Sequence, residues 1–101
     1  MVFPLVVVTY CEVPHDAEVI AVFDVAGTEY PGVAAVSQAV KERCFAERDS
    51  YAPDLTEAER HQLAMVIFQP DDIDWAIGEH AAACMVMRVH GQLTKPIKEG
   101  L

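Results

Sequence analysis

Asp71, Asp72 and Asp74, with Glu79 close behind, form the densest run of reactive side chains in the sequence. Mg²⁺ and Ca²⁺ take oxygen ligands, so the composition alone would suit a hard cation. The spacing does not, because the glycine and bidentate glutamate of an EF-hand loop are missing at the required offsets. Carboxylates that follow a proline, here Pro70, more simply cap the N–H groups of a new element and complement its dipole. No metal is expected. Their second use is contact with a basic surface on another protein. Glu57 and Glu59 would add charge to that contact, and Trp75, if exposed, an apolar anchor.

The sulfur and imidazole groups are scattered. His80 and Cys84 lie four apart and would share a face of a helix or strand, and Cys11, His15, Cys44, His61 and His90 complete the set. Zinc needs three or four such ligands converging, and no C-x-x-C or H-E-x-x-H is present. Cys84 could in principle act as a nucleophile with His80 or His90 as base and Asp74 or Glu79 as orienting acid, but no local signature supports it. The two serines, Ser37 and Ser50, lie in or beside a helical pattern with no strand-to-helix elbow around them. Five glycines supply no phosphate-binding loop. The expectation is a protein without catalysis and without a cofactor. Cys44 falls on an apolar stripe and Cys11 in an apolar run, as unpaired cysteines acting as small hydrophobes do. Three widely spaced cysteines are unlike the even, dense frameworks of secreted scaffolds, so the expected location is cytoplasmic.

Charge narrows the class of partner. The 101 residues carry 16 Asp plus Glu against 7 Lys plus Arg, a formal net charge of −9. Such a surface repels a phosphate backbone, which excludes direct nucleic-acid binding. Residues 12 to 29 hold five acids and no base, and residues 50 to 80 hold seven acids and Arg60 alone, whereas residues 81 to 101 are net basic. A hydrophobic fraction of 52% is too high for a disordered acidic tail. The N-terminal apolar run has no basic flank and falls far short of the roughly 20 residues that span a bilayer, so neither a signal peptide nor membrane insertion is expected.

The elements that must position these groups follow from periodicity. Residues 2 to 13, rich in Val, read as a central strand, and residues 18 to 26 as a second strand, with Val19, Ala21, Phe23 and Val25 on one face and Glu18, Ile20, Val22 and Asp24 on the other. The two are expected to pair as an antiparallel hairpin. Val33, Val36, Val40 and Cys44 mark one side of a helix over roughly residues 32 to 48. Thr56 and Glu59 form a capping-box pattern for a second helix. That helix either runs to residue 68 or stops early and gives way to a strand at 64 to 69. The β-preferring Met65-Val66-Ile67-Phe68 favours the second, and residues 73 to 79 stay open between helix and strand. Residues 82 to 90 alternate as a strand ended by Gly91, and residues 92 to 101 read as a loosely held tail.

Residues 1 to 101 therefore form one α+β domain, a mostly antiparallel sheet made of an N-terminal hairpin plus later strands, with two helices packed on one face. The functional expectation is a small acidic, non-enzymatic protein-binding module. Its concrete form would be an inhibitor that covers a basic, nucleic-acid-binding surface of its partner, as phage-type anti-defence (anti-CRISPR-like) proteins do by class analogy. Its site is expected at Asp71, Asp72, Asp74, Trp75 and Glu79, then Glu57 and Glu59. Two alternatives stand beside it. One is a small dimeric ligand-binding or catalytic domain, with a pocket between sheet and helices near Tyr10, His15, His80 or His90. The other is a structural subunit that pairs with its own copy.

Overall fold

The computed structural model describes residues 13–101, and the strand expected at residues 2 to 13, with Cys11 and the hairpin it would form, lies outside them. The described chain runs β1 (Ala17–Asp24), α1 (Val33–Tyr51), α2 (Glu57–His61), β2 (Leu63–Phe68), α3 (Asp72–Ala76), β3 (Ala81–Arg88) and a 3₁₀ turn at Ile97–Glu99. This is an α+β fold with a three-stranded antiparallel sheet in the order β1-β3-β2. There are three helices among the described residues where two were expected, because the open segment at 73 to 79 begins as α3.

β3 is the central strand of this sheet and is buried from Ala81 through Cys84 and again at Val86. Small alanines there let α1 approach closely. Val36, Val40 and Cys44, spaced by one helical turn, pack onto Ala82 and Cys84. The start of α1 is set by Pro31 and Gly32, the glycine holding a φ of 99° that L side chains rarely adopt. Cys44 and Cys84 are joined by a disulfide. This corrects the reading of Cys44 as an unpaired hydrophobe and removes Cys84 as a nucleophile for His80 or His90. The sequence could not disclose it, because the two sulfurs are 40 residues apart and meet only once the helix lies across the sheet.

The alternation expected in β1 is broken by a register shift between Val19 and Ala21. Ile20 consequently turns toward the helix-facing core together with Ala21 and Phe23. Val19 and Val22 are left exposed on the opposite face, opposite Met85 and Ala83. A bulge inserts one residue into the two-residue period, so it cannot be read from alternation alone.

The C-terminal segment, expected to dock loosely, carries two of the most deeply buried side chains among the described residues, Leu93 and Ile97. They join Ala52, Leu55, Leu63 and Val86 in a second core cluster. Backbone bonds fix the path: His15 and Leu93 exchange both N–H···O bonds at 2.9 Å. The buried Glu18 accepts the Ile97 N–H at 3.0 Å. No helix among the described residues is long and apolar enough to cross a membrane.

Candidate functional site

The acidic run at Asp71 to Glu79 becomes a short, doubly capped projection. Asp71 is the N-cap of α3, and its carboxylate accepts the Asp74 N–H at 2.8 Å. Asp74 returns the favour by accepting the Asp71 N–H at 3.1 Å, which completes a capping box. Asp72 accepts the N–H of Ile73 at 3.0 Å and is exposed. Helix capping thus engages two of the three aspartates, the simpler of the two uses that the sequence allowed. No ion pair among the described residues involves Asp71, Asp72 or Asp74.

Trp75 is the root of this projection, not its tip. It is 8% exposed, which corrects its role as an exposed anchor. Its ring stacks on His80 with centroids 3.8 Å apart and planes 13° from parallel. Tyr30 meets it at 5.8 Å and 60°. The indole N–H donates to the Thr28 carbonyl at 3.3 Å. Trp75 therefore clamps α3 to the loop that follows β1, a loop turned by Gly27 at a φ of 126°. Partial desolvation, then the charges of Asp72 and Asp71, push the Tyr30 hydroxyl above its ordinary pKa.

With Trp75 turned inward, the residues on either side of it turn outward. Ile73 and Ile77 are each 70% exposed, the most exposed large apolar side chains among the described residues. Their spacing of four around Trp75 is legible in the sequence once α3 is known to be helical, but the acidic character of the segment hid them. Glu79 is half-exposed and engaged in contacts, its N–H donating to the Asp74 carbonyl at 2.9 Å.

Glu57 and Glu59 sit on α2, a separate element. Glu57 is exposed in its first turn. Glu59 closes a capping box with Thr56 and also accepts the Leu101 N–H at 2.9 Å. Those backbone donors hold its carboxyl below the usual range, the bond from Thr56 contributing most and that from Leu101 next. Its role is structural, and the seven expected site residues fall on two separate elements, Glu57 and Glu59 on α2 and the other five in or beside α3. No group of three or more His, Cys, Asp or Glu among the described residues could hold a metal ion.

Fold and site together define a small disulfide-linked α+β domain with one acidic, apolar-tipped projection. Residues 4–84 match the family described as "Septum formation". The chain belongs to that family. No curated protein and no solved structure matches it.

Proposed function

We propose that this protein is a non-enzymatic protein-binding module that serves septum formation by docking through α3. Ile73 and Ile77 enter an apolar hollow on the partner, while the carboxylates of Asp71 and Asp72 meet basic side chains at its rim. The observation that carries this reading is the outward pair of isoleucines on a helix whose other side is clamped by Trp75. Large apolar side chains exposed at this level and ringed by charge suit a contact of modest size, with steering by the surrounding field. The family match supports the process and leaves the partner to be identified.

The buried Cys44–Cys84 disulfide also bears on location. Stable disulfides form outside the reducing cytoplasm, so we place the domain in an oxidising compartment in preference to the cytoplasmic location expected from the cysteine count. Lysing cells directly into denaturant with an alkylating agent tests this: Cys44 and Cys84, both fully buried in the fold, escape alkylation if the placement is right, and react fully if the protein is cytoplasmic and the bond is absent.

The docking reading is tested with a partner captured from the native host and then purified. Ile73→Asp and Ile77→Asp should each weaken its binding to the chain by about tenfold or more, and added salt should weaken the unmodified complex. Affinity unchanged in both variants would remove α3 from the interface.

A further inference from the structure

We propose that a cleft between the end of α2 and the end of β3 binds a small oxyanion, the carboxylate or phosphate group of a ligand. The cleft encloses about 380 Å³ and is lined by His61, Gln62, Arg88, Val89 and His90. Every titratable side chain lining it is of the cationic kind, on a chain whose net charge is −9. Its position on the molecule matches the net basic segment at residues 81 to 101.

The walls are fixed by two bonds. The Val89 N–H donates to the Gln62 carbonyl at 2.8 Å. The Gln62 side chain accepts from Arg88 Nη2 at 3.1 Å. This second bond uses one N–H of the guanidinium, leaving its other N–H donors for another acceptor. His61 and His90 are exposed, and neither imidazole has a hydrogen-bond partner among the described residues.

On α2, Glu57 lies exposed one turn before His61, and the two charges nearest to that histidine in sequence are turned to other partners. Arg60 is turned toward Asp49, with Nε 3.6 Å from the carboxylate. Glu59 is bound to Thr56 and Leu101. What remains is a guanidinium between two imidazoles, which suits a planar or tetrahedral oxyanion through charge-assisted hydrogen bonds. A metal cation would meet the charge of Arg88.

The test is a titration of the ¹⁵N-labelled chain with inorganic phosphate and, separately, with acetate. Saturable shifts should appear at the backbone signals of residues 61, 62 and 88 to 90. The probe that saturates at the lower concentration tells a phosphate site from a carboxylate site. Arg88→Gln should weaken the binding by about tenfold, the loss of one charge-assisted interaction. His90→Gln should weaken it less, with the spectrum elsewhere unchanged in both variants. Non-saturating shifts with both probes, or saturation at the same concentration in Arg88→Gln, would overturn the proposal. If Arg88→Gln perturbs the fold, His90→Gln together with His61→Gln supplies the same comparison from the imidazoles of the two walls.

Discussion

Two halves of the core are closed by different means. Under α1, the helix lies on Ala82 and Cys84 and is tied there by a covalent bond between Cys44 and Cys84. At the other end, Leu55, Leu63 and Val86 are covered by Leu93 and Ile97, and only noncovalent contacts hold that cover in place. The first half is protected through the unfolded chain, which the crosslink restricts. The second is protected only in the folded state, by burial and by the bonds from His15 and Glu18 to the C-terminal segment. The difference teaches that the last ten residues belong to the fold as fully as the disulfide does, although nothing covalent anchors them.

Removing the crosslink is the largest expected break. With 40 residues between the two sulfurs, the chain-entropy relation gives a cost of about 4 kcal/mol for the double replacement Cys44→Ala and Cys84→Ala. Chemical denaturation with and without a reductant measures it. A loss under about 1 kcal/mol would mean that packing alone holds α1 on the sheet, and the contrast between the halves would vanish. Next comes Ile97→Ala, which leaves a cavity in the tail-covered half and should cost about 3 kcal/mol. A value near zero would return residues 92 to 101 to the status of a loose tail.

These halves also differ in how far the sequence discloses them. The helix over residues 32 to 48 is legible because Val36, Val40 and Cys44 repeat at helical spacing, and it is observed at Val33–Tyr51. The Thr56 and Glu59 cap and the strand that follows are legible for the same local reason, since a capping box and a β-branched run act within a few residues. The tail is not legible. Leu93 and Ile97 sit among Gly, Pro and Lys, and their burial depends on meeting Leu55, Leu63 and Val86 across the fold. The site divides likewise. Asp71 and Asp74 announce a cap by their spacing, whereas the inward turn of Trp75 depends on His80, Tyr30 and Thr28, and with it goes the outward turn of Ile73 and Ile77.

A smaller effect separates structural carboxylates from those free to dock. Asp71→Ala removes the cap of α3 and should lower stability by about 1 kcal/mol. Asp72→Asn leaves the capping box intact and should change stability by less than about 0.5 kcal/mol, while still weakening partner binding if α3 is the docking element. Thermal melts of the two variants, set beside their affinities for the partner, check both statements. Equal destabilisation by the two would show that Asp72 is also structural and would narrow the docking carboxylates.

The smallest effect is also the one that distinguishes the halves by pH. Glu59 accepts N–H bonds from Thr56 and, at the chain's end, from Leu101, and these hold its folded-state pKa below the unfolded value. A carboxyl depressed in this way contributes stability that is fully present above the unfolded value and is lost as pH falls through the folded one. The tail-covered half should therefore loosen in acid by a route that the disulfide-tied half lacks. Glu59→Gln keeps an acceptor but removes the charge. The stability gap between the unmodified chain and this variant should be widest near neutral pH and should narrow as the solution is acidified below the ordinary glutamate range. Protection factors at Leu93 and Leu101, that is, amide exchange corrected for its intrinsic slowing in acid, should fall over the same range, with little change at Val40 or Cys44. A gap that stays constant from neutral to acid would show that the Glu59 charge plays no part in holding the tail, and that burial of Leu93 and Ile97 alone closes that end of the core.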